Sequence, residues 1–180
     1  HEQQKIEVWD YDELKSMVNW DAVQRRRNQA LHPEHGIAMG SAEQPETFFQ
    51  HREACNTVYK DAVDIFVDSM NMVNEKIGSN YKPFNYYGAK DATEVIIAMG
   101  SVCDATEEVV DYLTAKGEKV GLVKVHLFRP FSVKHLLTQI PKTAKKIAVL
   151  DRCKEPGSVG EPLYLDVVNA LRGTEFDNCV

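Results

Sequence analysis

A chain of 180 residues, 43% of them hydrophobic and 27% charged, suits one ordinary domain or one domain with an extension, and it carries enough apolar surface to build a core. No run of about 18 uncharged apolar residues is present to cross a bilayer, so the expectation is a soluble globular chain with no membrane partner. A formal net charge of −6 argues against general nucleic-acid binding, which rests on clustered cations.

Cysteine usage narrows the chemistry further. Cys55, Cys103, Cys153 and Cys179 are far apart and form no C-x-x-C pair, so the local spacing of an iron–sulfur cluster or a structural zinc site is missing, and reduced thiols in a cytoplasmic setting are expected. The chain opens on His1-Glu2 with neither a signal peptide nor an initiator Met, which reads as a cut made inside a longer protein.

In chain order, the first half reads helical and the second half alternates. "DYDELKSMVNWDAVQRRRNQAL" places Leu14, Met17, Val18, Val23 and Leu31 at loosely helical spacing. Its basic run Arg25-Arg26-Arg27 is read as a solvated face or a dock for a neighbour. "HPEHGIAMGSAEQPE" follows, a long connecting loop by its Pro and Gly content. From Pro45 a second helix is expected, with Tyr59, Val63, Phe66, Val67, Met70, Val73 and Ile77 on one stripe and Gly78 as its stop. That stripe needs a cover, and the rest of the polypeptide is the simplest one.

After "YKPFNYYGAKD", read as an aromatic-rich linker, the pattern changes. "TEVIIAMG" is a buried strand of the parallel type. "DATEEVVDYLTAKG" is a helix with Asp104 as cap, Glu107 three residues on and Gly117 past its end. "KVGLVKVHLF" is the next strand, Ser132 caps a short helix through "VKHLLTQI", and "KKIAVLDR" is a third strand. The loop "CKEPGSVGEP" leads to "LYLDVVNALRG", with Pro162 in the first turn and Gly173 beyond the last. Strand and helix in alternation imply an α/β fold: an open parallel sheet with flanking helices, preceded by a mainly helical extension. "DNCV" reads as the start of a further strand, so the sheet is expected to be truncated. The expected division is a helical extension and linker over residues 1–85 and the α/β domain over 86–180.

The residues from 86 to 171 carry a resemblance. "NYYGAKDATEVIIAMGSVCDATEEVVDYLTAKGEKVGLVKVHLFRPFS", followed by "KKIAVLDRCKEPGSVGEPLYLDVV", resembles the second domain of the pyruvate:ferredoxin (flavodoxin) oxidoreductases, whose fold is similar to the transketolase C-terminal domain. "HEQQKIEVWDYDELKSMV" resembles the end of that family's first domain, and "RNQALHPEHGIAMGSAEQPETFFQHREACN" the segment joining the two, so the likeness covers essentially the whole chain. The linker departs a little, with "GSAEQP" where the family more usually has "GTAQNP", so no role is given to those side chains.

The resemblance implies a parent enzyme, a homodimer, that decarboxylates pyruvate oxidatively, joins the acetyl group to coenzyme A and passes electrons singly to ferredoxin or flavodoxin. It also implies thiamine diphosphate, Mg2+ and [4Fe-4S] clusters, all placed by the family in other domains. No catalytic residue and no metal ligand is therefore assigned here, and the chain alone is expected to be inactive. Its partners are the other domains of the same polypeptide. A relative acting on another 2-oxo acid, or an autonomous anion- or nucleotide-binding module, stays open.

Two strand-end turns are the candidate contacts for a cofactor. In "MGSVCDAT", Gly100 and Ser101 precede a helix N-terminus, a place where anions bind in open α/β sheets, yet the three-glycine dinucleotide fingerprint and the P-loop Lys-Ser/Thr are both missing. The preferred reading is a βα joint, with Gly100 there for a sharp turn and Ser101 or Asp104 as acceptor for orphan amides. In "DRCKEPGSVGEP", Arg152 and Lys154 could meet a coenzyme A phosphate or a neighbouring domain's carboxylate, and Gly157 and Gly160 would allow close backbone approach. Domain contact is preferred. Asp104, Glu107, Glu108 and Asp111 share a helix side and are read as a solvated face; His32 and His35 lack a third ligand; Cys103 and Cys153 are read as ordinary thiols.

Overall fold

The computed structural model describes residues 6, 8–37, 40 and 42–180. The opening His1-Glu2, and Ala38, Met39 and Ser41 of the expected loop, lie outside the described residues. Two compact units divide at Ala54 and Cys55.

In the first unit the expected single helical stretch is two helices, α1 (Tyr11–Met17) and α2 (Trp20–Asn28). Asp10 starts α1 with a capping box: its Oδ1 accepts from the amides of Asp12 and Glu13, while Glu13 Oε2 accepts from the Asp10 amide. The break comes at Val18, whose extended backbone ends α1, and Asn19 restarts the chain by accepting the Ala22 amide at 2.9 Å. Two polar caps within ten residues outweigh a weak apolar period. His32 and His35 face each other across a tight turn, rings stacked at 4.4 Å.

Helix α3 (Pro45–Ile77) starts and ends where its proline and glycine foretell, and Gly78 donates to the Asn74 carbonyl at 2.8 Å. From Cys55 onward it belongs to the second unit. Val63, Val67, Met70 and Val73 of its stripe are half-buried, while Tyr59, Phe66 and Ile77 stay exposed.

The second unit is built on a four-stranded sheet of β1 (Phe84–Gly88), β2 (Glu94–Ala98), β3 (Val120–Val125) and β4 (Lys146–Val149), in the order β1-β3-β2-β4. Strands β2, β3 and β4 are parallel, as their apolar runs foretell, and β1 joins antiparallel to β3 with Phe84 opposite Val125. The sheet is therefore mixed. "FNYYG", expected as linker, forms an edge strand because its approach is held by two asparagines: Asn74 Oδ1 accepts the Tyr81 amide at 2.7 Å, and Asn85 Nδ2 donates to the Asn80 carbonyl at 2.7 Å.

Alternation in the strands sorts the core into two layers. Phe84, Val95, Ile97, Val123, Val125 and Ile147 meet α5 (Val133–Leu137) and α6 (Pro162–Leu171) through Leu136, Leu163 and Val167. Ala98 and Leu122 meet α4 (Val102–Ala115) through Cys103 and Val110 on the opposite face. Helix α4 begins at Val102, so Asp104 stands inside its first turn and Ser101 occupies the cap position, correcting the expected Asp104 cap. The expected strand at "DNCV" does not form: Asp177 and Asn178 end a run of turns and Cys179 and Val180 are irregular, although the Ile147 amide donates to the Cys179 carbonyl at 2.6 Å.

Candidate functional site

In a sheet ordered β1-β3-β2-β4, the loops leaving β2 and β4 must emerge side by side, because those strands are neighbours and point the same way. They frame a cavity of about 470 Å³ lined by Met99, Gly100, Ser101, Val102, Leu150, Asp151 and Arg152. The two turns that the sequence offered as separate candidates are thus one site.

Three of the six candidate residues line it. Gly100, at φ +80°, makes the reversal that carries β2 into α4, a conformation that Cβ-bearing residues rarely adopt. Ser101 sits at the α4 cap, yet its side chain accepts nothing from the helix, so the expected hydroxyl cap is not made. The first-turn amides of α4 accordingly receive no side-chain cap, although Cys103 N donates to the Gly100 carbonyl at 3.0 Å. Arg152 is exposed and enters no ion pair among the described residues.

The other three do different work. Lys154 pairs with Glu161 at 2.9 Å, and Glu161 also accepts the Glu155 amide at 2.7 Å. That amide first, and the Lys154 ammonium second, hold the Glu161 carboxyl below its ordinary range. Gly157 takes a positive φ in the loop's turn. Gly160 allows close passage over α6, where an added Cβ would sit 2.5 Å from the Tyr164 ring. None of these three lines the cavity.

Asp151 is the residue whose role sequence reasoning missed. Its carboxylate accepts the amides of Tyr164 at 2.9 Å and Leu163 at 3.4 Å, capping α6 from twelve residues upstream. The only signal was an acidic residue closing a parallel strand. Among the described residues lining the cavity, the polar inventory is one guanidinium, one hydroxyl and one carboxylate already committed to backbone amides. That set can receive an anionic group, and it contains no nucleophile with an adjacent base.

The remaining candidates resolve into structure. Glu107 pairs with Lys124, and Asp111 accepts the Tyr87 hydroxyl at 2.8 Å, so half of the acidic row on α4 ties the helix to the sheet, while Asp104 and Glu108 remain exposed. Burial pushes the Cys103 thiol up, and the Glu155 carboxylate accepting from Sγ pushes the Cys153 thiol up, so neither is activated. Ser132 Oγ meets His135 Nδ1 at 2.7 Å, the local contact of a short helix start. No group of three or more His, Cys, Asp or Glu gathers among the described residues to hold a metal ion, and no described helix is long and apolar enough to cross a membrane.

Fold and site define an open α/β domain with flanking helices and a cavity of about 470 Å³ at the carboxyl ends of its parallel strands. Residues 92–179 match the family model described as pyruvate:ferredoxin oxidoreductase core domain II. Likeness extends well beyond the matched segment. A pyruvate-flavodoxin oxidoreductase of Enterobacter agglomerans is 52% identical over 176 residues, 98% of this chain and 15% of that protein. A pyruvate:ferredoxin oxidoreductase of Moorella thermoacetica is 51% identical over 171 residues, 95% of this chain and 15% of that protein. A solved 2-oxoglutarate:ferredoxin oxidoreductase from Magnetococcus marinus, with 2-oxoglutarate, coenzyme A and succinyl-CoA bound, aligns with a TM-score of 0.42 at 23% identity, covering 80% of this chain and 21% of that one. The chain thus spans about 15% of the length of the curated relatives it matches.

Proposed function

We propose that this chain is a structural, inter-domain module of an oxidoreductase that converts pyruvate and coenzyme A to acetyl-CoA and CO2. The two electrons released would leave one at a time to two molecules of ferredoxin or flavodoxin. The observation that carries the reading is the identity of 52% and 51%, over nearly the whole chain, to relatives named for that chemistry. In this reading residues 1–85 are the end of a preceding domain and its linker, and 86–180 are the transketolase C-terminal-like domain. The working enzyme is a cytoplasmic homodimer with no nucleic-acid or membrane partner.

Thiamine diphosphate, Mg2+ and [4Fe-4S] clusters belong to this chemistry, supplying the reactive carbanion and the electron path. The residues described here do not fit them: no metal donor set gathers, and the cavity's single carboxylate is bound to α6. We place those groups in other domains and give this chain the task of holding its neighbours. Arg152 is then a contact for a neighbouring domain or for the phosphates of coenzyme A, together with Gly100 and Ser101, while Lys154, Gly157 and Gly160 shape the loop.

The test is pyruvate- and coenzyme A-dependent reduction of ferredoxin and of flavodoxin by the full-length polypeptide. A higher kcat/KM for 2-oxoglutarate than for pyruvate would overturn the substrate, and turnover indifferent to coenzyme A would overturn the reaction. The double variant Arg152→Ala, Lys154→Ala separates scaffold from participant. A KM for coenzyme A within about twofold of the parent supports the scaffold, whereas a rise of about tenfold, equivalent to one good charged contact, assigns the loop to the coenzyme.

A further inference from the structure

The segment of α3 from Val58 to Glu75 carries two parallel rows that nothing in the second unit uses. Val58, Ile65 and Met72 recur at seven-residue steps and are 67%, 64% and 43% exposed. Three residues beyond each stands an acid, Asp61, Asp68 and Glu75, at the same steps and all exposed. On an α-helix, residues three apart are neighbours, so an apolar row about 21 Å long runs beside an acidic row of equal length. Neither row lies on the side of the half-buried Val63, Val67 and Met70, which line cavities shared with residues of α5 and with the approach to β1. No ion pair among the described residues engages Asp61, Asp68 or Glu75.

A seven-residue repeat of exposed apolar side chains is the seam by which one helix accepts another. The charge of the flanking row selects the occupant. A second copy of α3 would set its acids beside acids, or bury them against Val58, Ile65 and Met72, and a carboxylate buried without a partner is strongly disfavoured. A helix with its own apolar repeat and lysines alongside buries the seam and pairs every acid at once. We infer that Val58, Ile65 and Met72, with Asp61, Asp68 and Glu75, form a docking seam for a basic amphipathic helix supplied from outside these 180 residues. The inference rests on the two rows and holds whichever 2-oxo acid the enzyme uses.

Zero-length carbodiimide cross-linking of the intact full-length protein, read by mass spectrometry, tests it. Asp61, Asp68 or Glu75 should be joined to lysines of a segment outside this chain whose apolar residues recur at seven-residue steps. Ile65→Glu, a change at an exposed position, should lower those links by about tenfold or more, the factor expected on losing one central apolar anchor, with far-UV circular dichroism unchanged. Val58→Ser should lower them less. Links confined to Lys60 and Lys76 of the same helix, links to α3 of a second copy in an isotope-mixed sample, no links at all, or links that persist in Ile65→Glu would each overturn the seam.

Discussion

Placing an alanine at Gly121 probes whether β1 is seated as described. Gly121 lies in β3 opposite Gly88, and a Cβ there would stand 2.6 Å from both Cε2 and Cζ of Tyr86. Ordinary contact begins at 3.4 Å, so the ring is short of room by 0.8 Å and must swing away. The movement pulls the Tyr86 hydroxyl from the Ala89 carbonyl, to which it donates at 2.5 Å. Partial burial first, and Asp91 second, push the pKa of that phenol up to about 12. Overpacking costs about 1–3 kcal/mol and a lost hydrogen bond about 1, for a total of about 2–4 kcal/mol. Tyr86→Ala empties the space. In that background Gly121→Ala should cost less than about 1 kcal/mol, since alanine is the better strand residue once nothing obstructs it. Urea unfolding followed by circular dichroism at the four corners of the cycle supplies the numbers. A coupling near zero, or a neutral Gly121→Ala in the parent chain, would refute the seating of Tyr86 over Gly121 and the antiparallel edge with it.

Further outcomes follow from the same geometry. Asp151→Ala should destabilise α6 by about 1 kcal/mol, and Asp151→Asn by less, because the amide oxygen keeps an acceptor for the Tyr164 amide; equal losses would disprove the cap. Leu163→Ala, at a side chain with no exposed surface, should cost about 2–5 kcal/mol in urea midpoint experiments, against well under 1 for Leu165→Ala on the exposed side of the same helix. The folded pKa of Glu161 is depressed, so its stabilising contribution is present above the ordinary value of about 4.5 and is lost as pH falls through the folded value below that. The stability gap between the parent and Glu161→Gln should therefore be flat above about pH 5 and close at lower pH, and a gap that widens on acidification would contradict the pairing. Iodoacetamide should modify exposed Cys153 well before buried Cys103, although both thiols are held in the protonated form, and the reverse order would place Cys103 outside the core.

Local patterns alone determined most of the architecture. Pro45 and Gly78 bound the long helix, Pro162 and Gly173 bound α6, and the apolar runs around Ile96, Val123 and Ile147 announce parallel strands, because each signal acts within a few residues of the backbone it controls. The family phrases were legible in the same way, as were both strand-end turns. What the sequence could not show is which strands would be neighbours. Only the order β1-β3-β2-β4 brings Gly100 and Ser101 beside Arg152, and only the pairing of Phe84 with Val125 turns an aromatic linker into an edge strand. Asp151 and Ser101 show the same division at the scale of one side chain. A serine next to a helix start reads as its cap, yet in the folded chain it caps nothing, while an aspartate twelve residues away accepts the amides of α6. Hydrogen bonds between residues distant in sequence depend on where the sheet delivers each loop, and that is set by packing two apolar faces at once.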